Sequence, residues 1–251
     1  MNWFRNLPAE PVKARVNVIA AGGDFGIRAA QEEMNTIPIV GFTDDMLGSR
    51  LVKSLSSPGG NTTGVSLLAS ELDGKRQEIL IEAVPGLRRM AALADVDTTS
   101  RRQLQGLQDA ARARGVELSL HRIAKAEEIA PAIDSAKILN ATALNVLASP
   151  LLFANRPVII ERAATLRLPA IYQWPEVAEE GGFIGYGPRI VQLFRDVPAR
   201  QLVKVLRGTK PNDVPVEQPT KFELVINLQT AKALGHEVPA GLVLRADKVI
   251  E

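Results

Sequence analysis

Residues 88–123 read RRMAALADVDTTSRRQLQGLQDAARARGVELSLHRI, and the reading of this stretch decides the fold class. RRMAALADV (88–96) is a short β-rich run. TSRRQLQGLQDAARARG (99–115) is a longer amphipathic helical run, stopped by Gly115. VELSLHRI (116–123) is a strand again. Strands at this spacing, separated by a helix, form a βαβ unit and imply a parallel sheet.

The same alternation extends outward in both directions. Upstream, RVNVIAAGG (15–23) is a strand ending in glycines, and DFGIRAAQEEMN (24–35) reads as a helix with Asp24 as its N-cap. IPIVGF (37–42) is a second strand. TDDMLGSRLVKSLS (43–56) opens with hydroxyl and carboxylate caps and continues as a helix. SPGGNTTG (57–64) is turn chemistry, VSLL (65–68) a short strand, and SELDGKRQEILIEAV (70–84) a helix with Ser70 as a plausible cap. Downstream, EEIAPAIDSAKILN (127–140) is a helix bent or restarted near Pro131. ATALNVLAS (141–149) is a buried strand, LFANRPVIIERAATLR (152–167) a helix and LPAIYQ (168–173) a strand. VQLFRDVPARQLVKVLRG (191–208) is a helix ended by Gly208, and PNDVPVEQPTKF (211–222) an extended linker. ELVINLQTAKALG (223–235) is strand then helix, and VLRADKVI (243–250) closes the chain.

Composition narrows the function classes. A chain of 251 residues suffices for one large or two modest domains. Hydrophobic residues make up 46% and charged residues 23%, ordinary for a globular protein with a real core. Net charge is +2 and no Lys/Arg run exceeds two, which argues against nucleic acid as a partner. Cysteine is absent, so disulfides, thiolate metal sites and Cys nucleophiles are excluded. His121 and His236 are the only histidines, lie far apart and fit surface or capping roles rather than a metal site. No apolar stretch approaches the ~20 residues that span a membrane. MNWFRNLPAEPVKAR (1–15) lacks an apolar core and is broken by prolines, unlike a signal peptide.

In open α/β sheets, ligands sit beyond the C-terminal ends of strands. The positions to inspect are therefore Gly22, Gly23 and Asp24; Thr43, Asp44 and Asp45; Asp95 and Asp97; Ser149 and Pro150; Tyr172, Gln173 and Trp174; and Tyr186 and Gly187. AGGDFG (21–26) is neither GxGxxG nor a Walker pattern. Its glycines expose backbone N–H groups at a helix start, which suits a carboxylate or phosphate; Asp24 opposes an anion, and a tight capped turn is the plainer reading. Asp44 and Asp45 read as an acid–base or Mg²⁺ pair, or as first-turn acids complementing a helix dipole, with Thr43 the stronger ligand candidate. Asp95 and Asp97 suit an ammonium or hydroxyl group, or helix capping. No GxSxG elbow or Ser–His–Asp constellation is present, so nothing calls for an enzyme and no cofactor is implied.

The aromatics add one signal. The chain has two Trp and two Tyr, and three of these four fall in IYQWPEVAEEGGFIGYGP (171–188). Each offers a flat apolar face with one polar handle, suited to a small organic ligand. Packing at a sheet rim is the competing explanation.

This stretch, followed by VPVEQPTKFELVINLQTAKALGHEVPAGLVLRADKVIE, resembles the C-terminal half of the TrpX-like family of ABC transporter solute-binding proteins. SLSSPGGNTTGVSLLASELDGKRQEILIEAVPGLRRMAALAD resembles that family's central block, and VNVIAAGG with IPIVGFTDD the strand–helix–strand before it. The resemblance runs from about residue 16 to the C-terminus. It implies a type I periplasmic-binding-protein fold: α/β, with two doubly wound parallel-sheet lobes joined by a three-segment hinge, closing on a ligand held in the cleft. The implied lobes are 1–66 plus 186–222, N-terminal, and 67–185 plus 223–251, C-terminal. Their crossovers would fall near Thr63–Ser66, Phe183–Gly187 and Thr220–Leu224. Capture without turnover follows, of an amino acid or related compound, for delivery to a membrane permease. The implied ligand-binding set is Gly22, Gly23, Thr43, Asp44, Asp97 and Ser149 for polar contacts, with Tyr172, Trp174 and Tyr186 for shape.

Family members carry an export signal and two further strand–helix units before VNVIAAGG, roughly seventy residues at ~30–35 per unit. The expectation is a truncated N-terminal lobe with an unpaired sheet edge, a site for self-association. Location is periplasmic by resemblance and cytoplasmic if the chain is expressed as written. A cytoplasmic ligand sensor, and a Rossmann-like nucleotide-dependent enzyme using AGGDFG, are the other two readings.

Overall fold

The computed structural model describes residues 16–251, so MNWFRNLPAEPVKAR lies outside the described residues. The first elements are β1 (Ile19–Gly22), α1 (Gly23–Glu33), β2 (Ile39–Thr43), β3 (Thr62–Ser66), α2 (Asp73–Ala83), β4 (Arg89–Asp95) and α3 (Arg101–Ala113). Then come β5 (Glu117–Ile123), α4 (Ile129–Ile138), β6 (Ala143–Val146), α5 (Pro150–Ala154), α6 (Arg156–Thr165), β7 (Ala170–Tyr172), α7 (Pro175–Glu179) and β8 (Ile184–Gly187). The chain ends with α8 (Ile190–Leu206), β9 (Glu223–Asn227), α9 (Leu228–Leu234), α10 (Ala240–Val243) and β10 (Lys248–Ile250).

These elements divide into two compact units. The smaller takes the chain up to Leu68 and Ile190–Thr220; the larger takes Ala69–Arg189 and Lys221–Glu251. The smaller unit holds a parallel sheet in the order β1-β2-β3. Ile27, Ala30 and Met34, from α1 and its end, bury one face of it with Ile39, Met46 and Leu51. Val205 of α8 packs with Val40 and Val214 on a separate core. Among the described residues β1 has a ladder partner on one side only, whereas β3 is closed by Glu217: Ser66 N–H donates to its carbonyl, and its N–H donates to that of Gly64, each 2.9 Å.

The larger unit holds seven strands in the order β10-β9-β8-β7-β6-β4-β5. β4 to β8 are parallel, and the ladder reverses once, between β8 and β9. The inner strands are buried almost throughout and mostly apolar, as a sheet covered on both faces requires, with Asp95 and Asn145 the buried polar residues of β4 and β6. The main core joins Leu80 and Ala83 of α2, Leu104 and Leu107 of α3, Ile171, Ile184 and Ile226. Among the described residues no helix is long and apolar enough to cross a membrane.

Four local expectations are corrected. Residues 43–56 do not form a helix: β2 runs on to Thr43, and turns follow. The Asp45 carboxylate takes the N–H groups of Leu47 (3.1 Å) and Gly48 (2.8 Å), and Arg50 has φ 57°, so the backbone is folded into turns by its own side chain. Asp24 is not the cap of α1; Gly22 stands there, and the Asp24 carboxylate accepts the Thr43 and Ser49 hydroxyls instead. The expected helix 127–140 is divided two residues before Pro131: Ala126–Glu128 form a 3-10 turn, and α4 starts at Ile129 with Pro131 in its first turn, where the missing N–H costs no bond. Residues 184–187, assigned in part to the N-terminal lobe, are β8 of the seven-stranded sheet, held there by ladders to β7 and β9.

Candidate functional site

The C-terminal ends of β4, β6, β7 and β8 carry the larger unit's polar groups. Ser149, after β6, caps α5 by accepting the Leu152 N–H at 3.2 Å. Its hydroxyl donates to Asp95, the last residue of β4, at 2.6 Å. The other Asp95 oxygen accepts the Asp97 N–H at 2.9 Å. Gln173, after β7, matches its amide to the Ser149 backbone: its Oε1 accepts the Ser149 N–H and its Nε2 donates to the Ser149 carbonyl, both at 3.0 Å. Asp95, Ser149 and Gln173 are all buried. They form a satisfied network that fixes the backbone at three adjacent strand ends. Asp97, one loop residue further, stands exposed.

Aromatic rings flank this edge. Trp174 meets Phe153 of α5 edge to face, with ring centroids 6.2 Å apart and planes at 78°. The Arg156 guanidinium lies 4.4 Å from the Phe153 centroid and is gripped by both Glu180 oxygens, at 2.6 and 3.0 Å. Tyr172 takes no part. It is 2% exposed, and its ring edge lies where a side chain on Gly182 would go, 2.8 Å away, among Leu168, Phe183 and Leu234. Burial pushes its phenol well above the ordinary tyrosine range. Alternation along β7 turns Tyr172 away from Ile171, and helices cover both faces, so a strand-end position does not make it a wall. Tyr186 is half-buried, faces Leu224 across the β8–β9 ladder and packs on the main core.

In the smaller unit the corresponding ends are those of β1 and β2. Gly22 lies against the Phe42 ring so closely that a Cβ would sit 2.7 Å from it, and Gly23 has φ +71°. Phe42 meets Phe194 of α8 edge to face at 4.6 Å and 88°. The Thr43 hydroxyl, expected as a ligand contact, is buried and donates to Asp24. The Asp44 carbonyl accepts the Leu68 N–H (2.9 Å) and the Ser66 hydroxyl (3.2 Å).

The strand-end rule thus gathers Gly22, Gly23, Thr43 and Asp44 at one edge, and Asp97, Ser149 and Trp174 at the other. It missed Phe42, Phe194, Phe153 and Arg156. Phe42 was legible as the last apolar residue of IPIVGF. Phe153, Arg156 and Phe194 lie within helices, where nothing in the sequence separates a rim position from a core one.

Two α/β units with parallel sheets, crossed three times by the chain, define the type I periplasmic-binding-protein fold. The family model described as ABC transporter substrate binding protein matches residues 9–250, and the chain belongs to that family. A tyrosine-binding protein from Clostridioides difficile is 26% identical over 237 residues, covering 93% of this chain and 67% of that protein. A crystal structure of an ABC domain in complex with L-Trp from Streptococcus pneumoniae is 22% identical with a TM-score of 0.79, covering 93% of this chain and 81% of that one. A conserved domain protein from Vibrio cholerae is 22% identical with a TM-score of 0.84, covering 96% and 80%.

Proposed function

We propose that this protein captures an amino acid or a closely related small molecule and releases it unaltered to a membrane permease on the periplasmic side. The observation that carries the reading is the family match over residues 9–250, which takes in both units and every strand end described above. A tyrosine-binding relative and a neighbour holding L-Trp support an amino acid, an aromatic one first. The edges suit that chemistry. Half-buried Phe42 with Phe194, and half-buried Phe153, offer apolar faces for a side chain, and Trp174, only 4% exposed, backs Phe153. Asp44 follows β2 in the smaller unit and Asp97 follows β4 in the larger, and each carries a carboxylate suited to an ammonium group. The backbone N–H groups at Gly22 and Gly23 open α1 and suit a carboxylate. Tyr172 leaves the proposed set. In this reading the set holds the solute and releases it unchanged, as the family of substrate-binding proteins supports, so the protein acts by binding and not as an enzyme.

Thermal shift with the twenty amino acids, NADH and ATP tests the reading. A ligand that binds the folded state in excess raises the melting temperature by mass action. An aromatic amino acid should raise it and the nucleotides should not. A shift with NADH or ATP alone would return the AGGDFG segment to a nucleotide-dependent enzyme and overturn the proposal.

A further inference from the structure

A charged pair that no strand-end rule selects lies beneath the larger unit's edge. Arg76, in the first turns of α2, is 0% exposed and Asp73 is 1% exposed. A buried guanidinium is tolerated only where its N–H groups find acceptors. Here Nη1 donates to Asp73 Oδ1 at 2.7 Å and to the Ala69 carbonyl at 2.8 Å. Nε donates to the Tyr186 carbonyl at 2.8 Å, and Nη2 to the Gln173 carbonyl at 3.3 Å. Asp73 in turn accepts the Ala148 N–H at 3.2 Å and the Gln103 side-chain amide at 2.8 Å. One ion pair therefore holds the backbone after β6, after β7 and within β8.

A second observation shows that the chain is shaped around this fork. A Cβ on Gly187 would lie 2.2 Å from the Gln173 carbonyl oxygen and 3.6 Å from Arg76 Nη2. The ends of β7 and β8 approach so closely at the guanidinium that a side chain has no room. Ala69 is also the first residue of the larger unit after the first crossover, and Tyr186 precedes the second crossover at Arg189.

We infer that Arg76, fixed by Asp73, is the positioning residue of the larger unit's ligand-facing edge: it sets where Ser149, Gln173 and Trp174 stand without touching the solute. The inference rests on the amino-acid-binding reading above. Filling the volume alone does not perform this role. A Met keeps the packing and a Lys keeps the charge, yet neither reaches three carbonyls from separate segments.

The test uses the full chain, Arg76→Lys, Arg76→Met and Asp73→Asn, hydrogen exchange read by mass spectrometry, and calorimetry with L-tryptophan and L-tyrosine. In any variant that keeps wild-type far-UV ellipticity, peptides covering 147–150, 173–176 and 186–189 should exchange at least tenfold faster. β4, β5 and the smaller unit should be unchanged, and the Kd for whichever amino acid binds the wild type should rise at least tenfold. Unchanged exchange at those three segments, faster exchange spread evenly over the larger unit, or wild-type affinity in a variant with loosened edges would each overturn the inference. If the wild type binds neither amino acid, the ligand reading fails by itself, and the exchange pattern still decides the role of Arg76.

Discussion

Gly64 shows how far a single residue can dictate packing. Its φ is +150°, and an added Cβ would lie 1.8 Å from the Gly41 carbonyl oxygen. That obstacle is backbone in the centre of the three-stranded sheet, so it cannot swing aside. Gly64→Ala should destabilise the smaller unit by about 3 kcal/mol or more, from backbone strain and overpacking together. Urea unfolding checks this, and a loss below about 1 kcal/mol would show that β2 and β3 can part there. Ser149→Ala removes both a helix cap and the bond to Asp95, and should cost about 1–2 kcal/mol by the same measurement. Tyr172 gives a pH signature. Its folded-state phenol is raised above the unfolded value near 10, so the stability it contributes is complete below that value and is lost as pH rises beyond it. Ultraviolet titration should find that Tyr172 ionises only as the protein unfolds, and Tyr172→Phe should flatten the alkaline limb of the stability profile. Trp174→Ala removes a buried ring that packs on Phe153, so it should cost about 3–5 kcal/mol in urea unfolding and weaken solute binding at least tenfold by calorimetry on the folded variant.

At the scale of elements, the corner where β8 meets β9 is held by charge. Arg189 bonds Glu223 at 2.7 Å and Glu179 at 2.8 Å, and Lys221 and Lys248 complete the group. Hydrogen bonds from Lys221 and then Arg189 hold the Glu223 carboxyl below the ordinary range. A depressed carboxylate contributes stability above its unfolded pKa, near 4.3, and that contribution disappears as pH falls through the folded value. Glu223→Gln should therefore lower stability at neutral pH, with mutant and wild type converging below about pH 4. A constant gap across that range would assign the loss to packing.

Elements also show what the sequence could and could not convey. Strand–helix alternation from residue 88 to 173 was legible because buried parallel strands and amphipathic helices have different periods. The segment 43–56 was not, because an acidic opening followed by scattered apolar residues suits a helix cap and an Asx turn equally, and only the Asp45 bonds to Leu47 and Gly48 decide. The aromatic-rich stretch misled in part for a similar reason. Position at a strand end is a sequence property, whereas the face a residue occupies and what covers it are tertiary ones. Hence Tyr172 and Trp174 are both buried although each stands at a strand end, and Trp174 reaches only the ring of Phe153 at the edge. Arg76 was invisible in SELDGKRQEILIEAV, where it reads as one more surface cation of an amphipathic helix.

For the whole molecule, the two-unit division and the threefold crossing follow from where the sheet order changes. The family match gives that architecture its purpose. The proposed function requires reversible capture of an amino acid that is released untransformed. Isothermal titration of the full chain with L-tryptophan and L-tyrosine, with the solute recovered and examined by NMR, tests it most directly. Saturable one-to-one binding of an aromatic amino acid and recovery of the solute unchanged are expected. No heat with any amino acid, or a chemically altered solute after incubation, would contradict it.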